Sequence, residues 1–206
     1  GDKLSEAFQK FSLDVKDRIC LDAGISTGGF TDCLLQNGAK KIYGIDVGYG
    51  QTSWKIRENP KVKLLERTNI RFLQAENIFS QEDLFPDFVV ADLSFISLKL
   101  VLKPIEGLLN KHFFEGIFLI KPQFEVGKEY VSKGGVVKES KYHLLALNSV
   151  INAIESLNWQ INGLIASPLV GPAGNHEYLI WISKTQLNEF LVNEEFLHKL
   201  VKQTLG

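Results

Sequence analysis

Three ionisable residues stand where short apolar runs begin or end. Asp92 follows Phe88-Val89-Val90-Ala91. Lys121 follows Gly116-Ile117-Phe118-Leu119-Ile120 and precedes Pro122. Glu177 opens Tyr178-Leu179-Ile180-Trp181. Each alone reads as a solvated strand end; two acids and a base brought together could polarise a hydroxyl, take its proton or stabilise the oxyanion left behind. A second set lies in the run Leu21-Asp22-Ala23-Gly24-Ile25-Ser26-Thr27-Gly28-Gly29-Phe30-Thr31-Asp32. Small residues between a strand and a helix let the backbone approach a ligand at the positive end of the helix. The candidate ligand-binding residues here are Asp22, Gly24, Ser26, Thr27, Gly28, Gly29 and Phe30. Roughly 20 residues further on, where an acid can accept both ribose hydroxyls of an adenosine-bearing cofactor, Asp46 closes Ile42-Tyr43-Gly44-Ile45 and is followed by Val47. Asn69, after Glu66-Arg67-Thr68, is placed either to reach an adenine edge or to cap its own loop.

The glycine spacing discriminates between cofactors. A dinucleotide site wants G-x-G-x-x-G so that backbone amides cradle a pyrophosphate. Here Gly24 is followed by Ile25, Ser26 and Thr27 before Gly28-Gly29, and Asp22 precedes the loop. A carboxylate there suits the ammonium and sulfonium of S-adenosylmethionine better than a phosphate. The spacing therefore favours a methyl donor, with an NAD-dependent oxidoreductase as the alternative.

These residues need a scaffold that gathers them at one edge. Apolar and β-branched runs near 18–22, 41–46, 62–65, 87–91, 116–120, 161–167 and 177–182 predict seven strands, and helical periodicity marks 28–38, 51–57, 97–111 and 139–157. Alternating strands and helices imply an α/β fold with a parallel, doubly wound sheet. The short loop through Gly171-Pro172-Ala173-Gly174-Asn175 makes the last two strands an antiparallel pair. In an open sheet of this kind ligands sit beyond the carboxyl ends of the parallel strands, where Asp92 and Lys121 lie. The last strand runs the other way, so Glu177 at its start meets them. The tail from Gln186 to Leu205 places Leu187, Phe190, Leu191, Leu197, Leu200 and Val201 at helical spacing and predicts one helix packed on the core. The segment 122–138, rich in Gly and Lys, predicts a functional loop.

Composition sets outer bounds. Two hundred and six residues with 45% hydrophobic and 23% charged content suit one globular domain. No apolar run approaches the ~20 residues that span a bilayer, and no signal-peptide pattern opens the chain. Cys20 and Cys33 lack metal-ligand spacing and read as reduced apolar fillers, so a cytoplasmic location and no metal are expected. The absence of Met and the start at Gly1 read as a piece of a longer protein. A net charge of −1 is too little positive charge to hold RNA unaided.

The segments LDAGISTGGFTD, DVGYGQ, ERTNIR, ADLSFISL, KPQFEVGK and GPAGNHEY, spread nearly end to end, resemble the catalytic domain of the TlyA-type (hemolysin A) family of ribosomal RNA 2′-O-methyltransferases, which is similar to the FtsJ-like RNA methyltransferases. The resemblance implies a Rossmann-like class I methyltransferase fold across residues 1–206, S-adenosylmethionine as cofactor, and ribosomal RNA or ribosomal subunits as partners. It also implies a catalytic Lys-Asp-Lys-Glu tetrad, matched by Lys3, Asp92, Lys121 and Glu177, with Lys3 on a helix before the first strand. The family's α-L type RNA-binding domain, N-terminal to the catalytic one, has no counterpart here, which fits the missing basic excess. The remaining alternative is a non-enzymatic RNA-binding or hemolysin-like protein, although no spanning segment supports a membrane partner. Lys128, Lys133, Lys138 and Lys141 offer phosphate contacts, or with Glu125, Glu129 and Glu139 interleaved form a solvated charge run.

Overall fold

The structure, a computed structural model, describes residues 1–206. Seven strands form one sheet: β1 (Ile19–Ala23), β2 (Lys41–Ile45), β3 (Val62–Leu65), β4 (Phe88–Ala91), β5 (Glu115–Ile120), β6 (Gln160–Ala166) and β7 (Tyr178–Ser183). Their order is β3-β2-β1-β4-β5-β7-β6. The first five pair in parallel, and β7 runs antiparallel to both β5 and β6. This is the doubly wound layout with a terminal antiparallel hairpin that the alternation predicts. Because βα connections cover both faces, the central strands are buried throughout and read as continuous apolar runs.

The helices are α1 (Asp2–Phe11), α2 (Gly29–Gln36), α3 (Trp54–Arg57), α4 (Leu102–Glu106), α5 (Pro122–Glu125), α6 (Ser140–Ser156) and α7 (Glu194–Leu205). One face of the sheet is covered by α4, α6 and α7, which build the larger core around Leu21, Phe118, Val150 and Ile180. The other is covered by α1 and α2 through Leu4, Ala7, Phe8 and Leu34. Phe8 meets Phe88 edge-on, with ring centroids 5.9 Å apart. The helix α1 ends where Ser12 turns into the left-handed region (φ 53) and returns its N–H to the Phe8 carbonyl.

Two expectations need correction. The stretch 97–111 is not one helix: a 3-10 turn at Leu98–Leu100, capped by the Ser97 side chain, leads into the short α4. The tail is not helical from Gln186. Asn162, fully buried, accepts the amides of Leu187 (2.8 Å) and Asn188 (3.0 Å) through Oδ1 and so holds that stretch against β6. The helix begins only where Asn193 caps it by accepting the Phe196 amide at 2.8 Å. Leu197 and Val201 are buried as expected, whereas Leu187 and Leu191 remain exposed.

Candidate active site

Strand register assembles the polar edge. Ile120 of β5 pairs with Tyr178 of β7, so the next residues outward, Lys121 and Glu177, are neighbours across that ladder. Ala91 pairs with Phe118, which brings Asp92 to the same edge. Lys121 Nζ lies 2.6 Å from Asp92 Oδ1, an ion-pair contact off hydrogen-bond alignment, and donates to Ser94 Oγ at 2.9 Å. Lys3, on the first turn of α1, donates to Glu177 Oε2 at 2.7 Å. The four residues of the expected tetrad thus meet as two lysine–carboxylate pairs. Glu177 is buried, and its Oε1 has no hydrogen-bond partner.

The glycine loop adjoins this edge. Gly24 takes φ +81, and a Cβ there would stand 2.4 Å from the Asp92 carbonyl oxygen. A glycine is needed for both the conformation and the approach, and it is this approach that sets the loop against Asp92. Ser26 also sits in the left-handed region (φ 51), and its amide donates to Asp46 Oδ2 at 2.7 Å. Asp46 Oδ1 accepts the Gly48 amide at 2.8 Å, so one carboxylate links the loop to the turn after β2. The Ser26 carbonyl in turn accepts the Thr52 hydroxyl. Gly28 (φ +102) is the N-cap of α2, and Gly29 is its first residue.

Two adjoining hollows share Gly24, Ser26 and Asp92. One, of about 470 Å³, is bounded by Asp46, Val47, Asn69 and Phe95. The other, of about 250 Å³, is bounded by Lys3, Thr27, Gly29 and Phe30. Asp22 and Gly28, both buried, line neither hollow. Asn69 lines the first hollow, and its side chain caps its own loop by accepting the Arg71 amide at 3.0 Å. Asp22 is fully buried; Thr31 Oγ1 donates to its Oδ2 at 2.6 Å, and its Oδ1 has no partner. Burial, reinforced by the nearby charges of Asp92 and Asp46, pushes its carboxyl up to about 7 against the opposing Thr31 hydrogen bond.

The donor set fits S-adenosylmethionine. Asp46 lines one hollow, Asp92 lines both, and the buried Asp22 carboxyl with its unsatisfied oxygen lies next to the loop, a combination that favours a cation over a pyrophosphate. Asp46 and Asn69 would hold the adenosine part, and the Gly24–Gly29 backbone with Asp92 the amino-acid part.

Several contributors escape sequence reasoning. Ser94 holds Lys121. Glu125, at the end of α5, accepts Ser97 Oγ at 2.6 Å and the Leu98 amide at 2.8 Å, which ties the segment after β4 to α5. Burial raises the Glu125 pKa. Both residues lie inside the segments ADLSFISL and KPQFEVGK, where only Asp92 and Lys121 carry a charge-based signal at a strand end. The segment 122–138 is not all loop, since it holds α5 and a 3-10 turn at Lys128–Tyr130. With Phe95 it walls a neighbouring groove of about 800 Å³ edged by Arg71, Lys128 and Lys133. Lys138 faces a different hollow, beside α7, and Lys141 pairs with Glu139 at 3.4 Å.

Comparison with known proteins bears on the family and the fold. The sequence model of the FtsJ-like methyltransferase family matches residues 1–184. The chain is 44% identical over 204 residues to the 16S/23S rRNA (cytidine-2′-O)-methyltransferase TlyA of Mycobacterium tuberculosis, spanning 98% of this chain and 74% of that one. Hemolysin A of Brachyspira hyodysenteriae is 41% identical over 179 residues, spanning 87% of this chain and 73% of that protein. A solved structure from Streptococcus thermophilus, named as a hemolysin, superposes with a TM-score of 0.89 at 37% identity, covering 98% of this chain and 71% of that one. Aeropyrum pernix fibrillarin, with S-adenosyl-L-methionine bound, superposes with a TM-score of 0.59 at 16% identity over 87% of this chain and 74% of that one, a likeness of fold alone. No helix here is long and apolar enough to cross a membrane. The match along nearly the whole chain decides between the cofactors left open by the glycine spacing: the chain belongs to the FtsJ-like methyltransferase family and is an S-adenosylmethionine-dependent enzyme.

Proposed function

We propose that this enzyme methylates the ribose 2′-oxygen of a cytidine in ribosomal RNA, with Lys3, Asp92, Lys121 and Glu177 as its catalytic residues. The observation that carries the reading is the pairing of two lysines with two carboxylates at the rim of the methyl-donor cleft. When bound, S-adenosylmethionine supplies an electrophilic methyl group on a sulfonium. A ribose hydroxyl is a weak acid and must lose its proton as its oxygen attacks, so the chain's task is to orient the hydroxyl and stabilise the charge that develops. Lys121, fixed between Asp92 and Ser94, brings Nζ to that oxygen, takes its proton as the oxygen attacks, and is left as an ammonium that Asp92 pairs with. Lys3, held by Glu177, places a second cation on the other side of the rim. Asp92 also borders both hollows and so couples donor binding to the position of Lys121.

The neighbouring groove supports RNA as the acceptor. Phe95 is 90% exposed and held at φ 64, a conformation disfavoured for a bulky side chain. Its ring lies 5.1 Å from that of Phe124 and offers an aromatic face to an unpaired base, with Arg71, Lys128 and Lys133 near enough for phosphates.

The direct test incubates the purified protein with labelled S-adenosylmethionine and unmodified small and large ribosomal subunits, followed by nuclease digestion and mass spectrometry. The expected product is 2′-O-methylcytidine. Lys121→Ala should abolish transfer while S-adenosylhomocysteine still binds. Asp46→Ala should lose that binding. Transfer at the unmodified rate by Lys121→Ala would remove Lys121 from the mechanism, and methylation on a base would remove the 2′-oxygen.

A further inference from the structure

Asn175 is 1% exposed although it lies in the short loop between β6 and β7. Its side chain reaches out of that loop: Oδ1 accepts the Val137 amide at 2.9 Å, and Nδ2 donates to the Gly135 carbonyl at 2.8 Å. Both partners belong to the segment between α5 and α6 that walls the groove through Lys128, Lys133 and Gly135. A single amide therefore supplies one donor and one acceptor to a stretch of backbone that has no strand beside it.

His143, fully buried on α6, holds the same residue, Val137, through its other backbone group. Its Nε2 lies 2.8 Å from the Val137 carbonyl, and its Nδ1 lies 2.9 Å from the Tyr178 hydroxyl. A carbonyl can only accept, so Nε2 carries the hydrogen and Nδ1 accepts from Tyr178. Tyr178 directly follows Glu177.

The loop also shapes the seat of Glu177. The Gly171 amide donates to the Asn175 carbonyl at 2.8 Å. A Cβ on Gly171 would stand 2.5 Å from Glu177 Oε1. Gly171 is not in the left-handed region, so glycine serves there for space alone.

We infer that Asn175 is a positioning residue that clasps the groove wall at residues 135–137 to the turn seating Glu177, keeping a bound RNA segment in register with the lysine–carboxylate pairs. The inference rests on the ribose-methylation reading above. Asn175 acts through Glu177 and through the groove wall, not on the reacting atoms.

The test compares Asn175→Ala and Gly171→Ala with the unmodified protein. Asn175→Ala loses both hydrogen bonds, so amide exchange across residues 132–137 should accelerate about tenfold or more. Displacing Glu177 and the groove wall should lower kcat for ribosomal subunits by about 10- to 100-fold and raise KM. Affinity for S-adenosylhomocysteine should change little, because Leu169 is the one residue of this loop that borders the donor cleft and the rest of its lining comes from other segments. Gly171→Ala keeps the Asn175 bonds but crowds the carboxylate, so kcat should fall with exchange at 132–137 unaltered. A merely structural role would not separate the two variants in this way.

Unchanged exchange in Asn175→Ala, or faster exchange with undiminished kcat, overturns the inference. Should Asn175→Ala fail to fold, Gly171→Ala decides: full kcat with donor binding intact overturns it. An unmodified protein that transfers no methyl group to either subunit would defeat the proposed function instead, and the clasp would then stand or fall on the exchange pattern.

Discussion

Asp22 is fully buried next to the glycine loop and lines neither hollow. Its carboxyl, raised to about 7 chiefly by burial, keeps its proton in the folded chain over a range where the unfolded chain has lost it. The unfolded state therefore binds fewer protons between about pH 4 and 7, and stability falls as pH rises through that window before levelling off above it. Asp22→Asn removes this dependence. Urea denaturation should show the variant more stable than the unmodified protein at pH 8, by roughly 4 kcal/mol at most, with the gap closing towards pH 4. An equal pH slope in both proteins would mean that Asp22 ionises normally in the fold. The charged form also has a use: a carboxylate beneath the glycine loop favours a cationic ligand, so affinity for S-adenosylmethionine should strengthen between pH 6 and 8 in a way that Asp22→Asn lacks.

At the scale of elements, α1 has the most leverage for its length. It carries Lys3, and it is fastened by Leu4 and Ala7, both wholly buried, and by Phe8 against Phe88. Leu4→Ala should destabilise the fold by about 2–5 kcal/mol, the usual cost of a large-to-small change in a closed core. It should also lower the rate of methyl transfer more than donor affinity, since Lys3 is the neighbouring residue. Thermal unfolding with parallel calorimetry of S-adenosylhomocysteine checks both effects; loss of stability with an unaltered rate would show that the Lys3–Glu177 pair survives a loosened helix.

This element is also where sequence reading reaches its limit. The strands are legible because buried parallel strands must be apolar throughout, and Asp92, Lys121 and Glu177 because a charge that ends such a run has few places to go. Lys3 is recognisable through family resemblance, since a lysine on an amphipathic helix has no signal of its own. The helix expected over 97–111 breaks because Ser97 caps a separate 3-10 turn, and the tail helix starts late because Asn162, distant in sequence, captures the amides of Leu187 and Asn188. Asn175 and Ser94 are illegible for the same reason: their partners lie 38 and 27 residues away, and nothing local announces them.

For the whole molecule, the distribution of charge matters more than its sum. A net charge of −1 gives no general attraction to RNA, so what this domain contributes to binding depends on where its cations face. The fold divides the lysines of the 122–141 region: Lys128 and Lys133 edge the groove with Arg71, whereas Lys138 faces the hollow beside α7 and Lys141 is paired with Glu139. Each phosphate contact contributes about 0.7–0.9 to the slope of log affinity against log salt. The double variant Lys128→Ala/Lys133→Ala should therefore weaken binding to ribosomal RNA and flatten that slope by about 1–2. Lys138→Ala/Lys141→Ala, with the same loss of formal charge, should leave the slope as it is. Equal slopes for the two double variants would mean that RNA responds to the overall field and not to the groove, and would move the acceptor path to another face of the sheet edge.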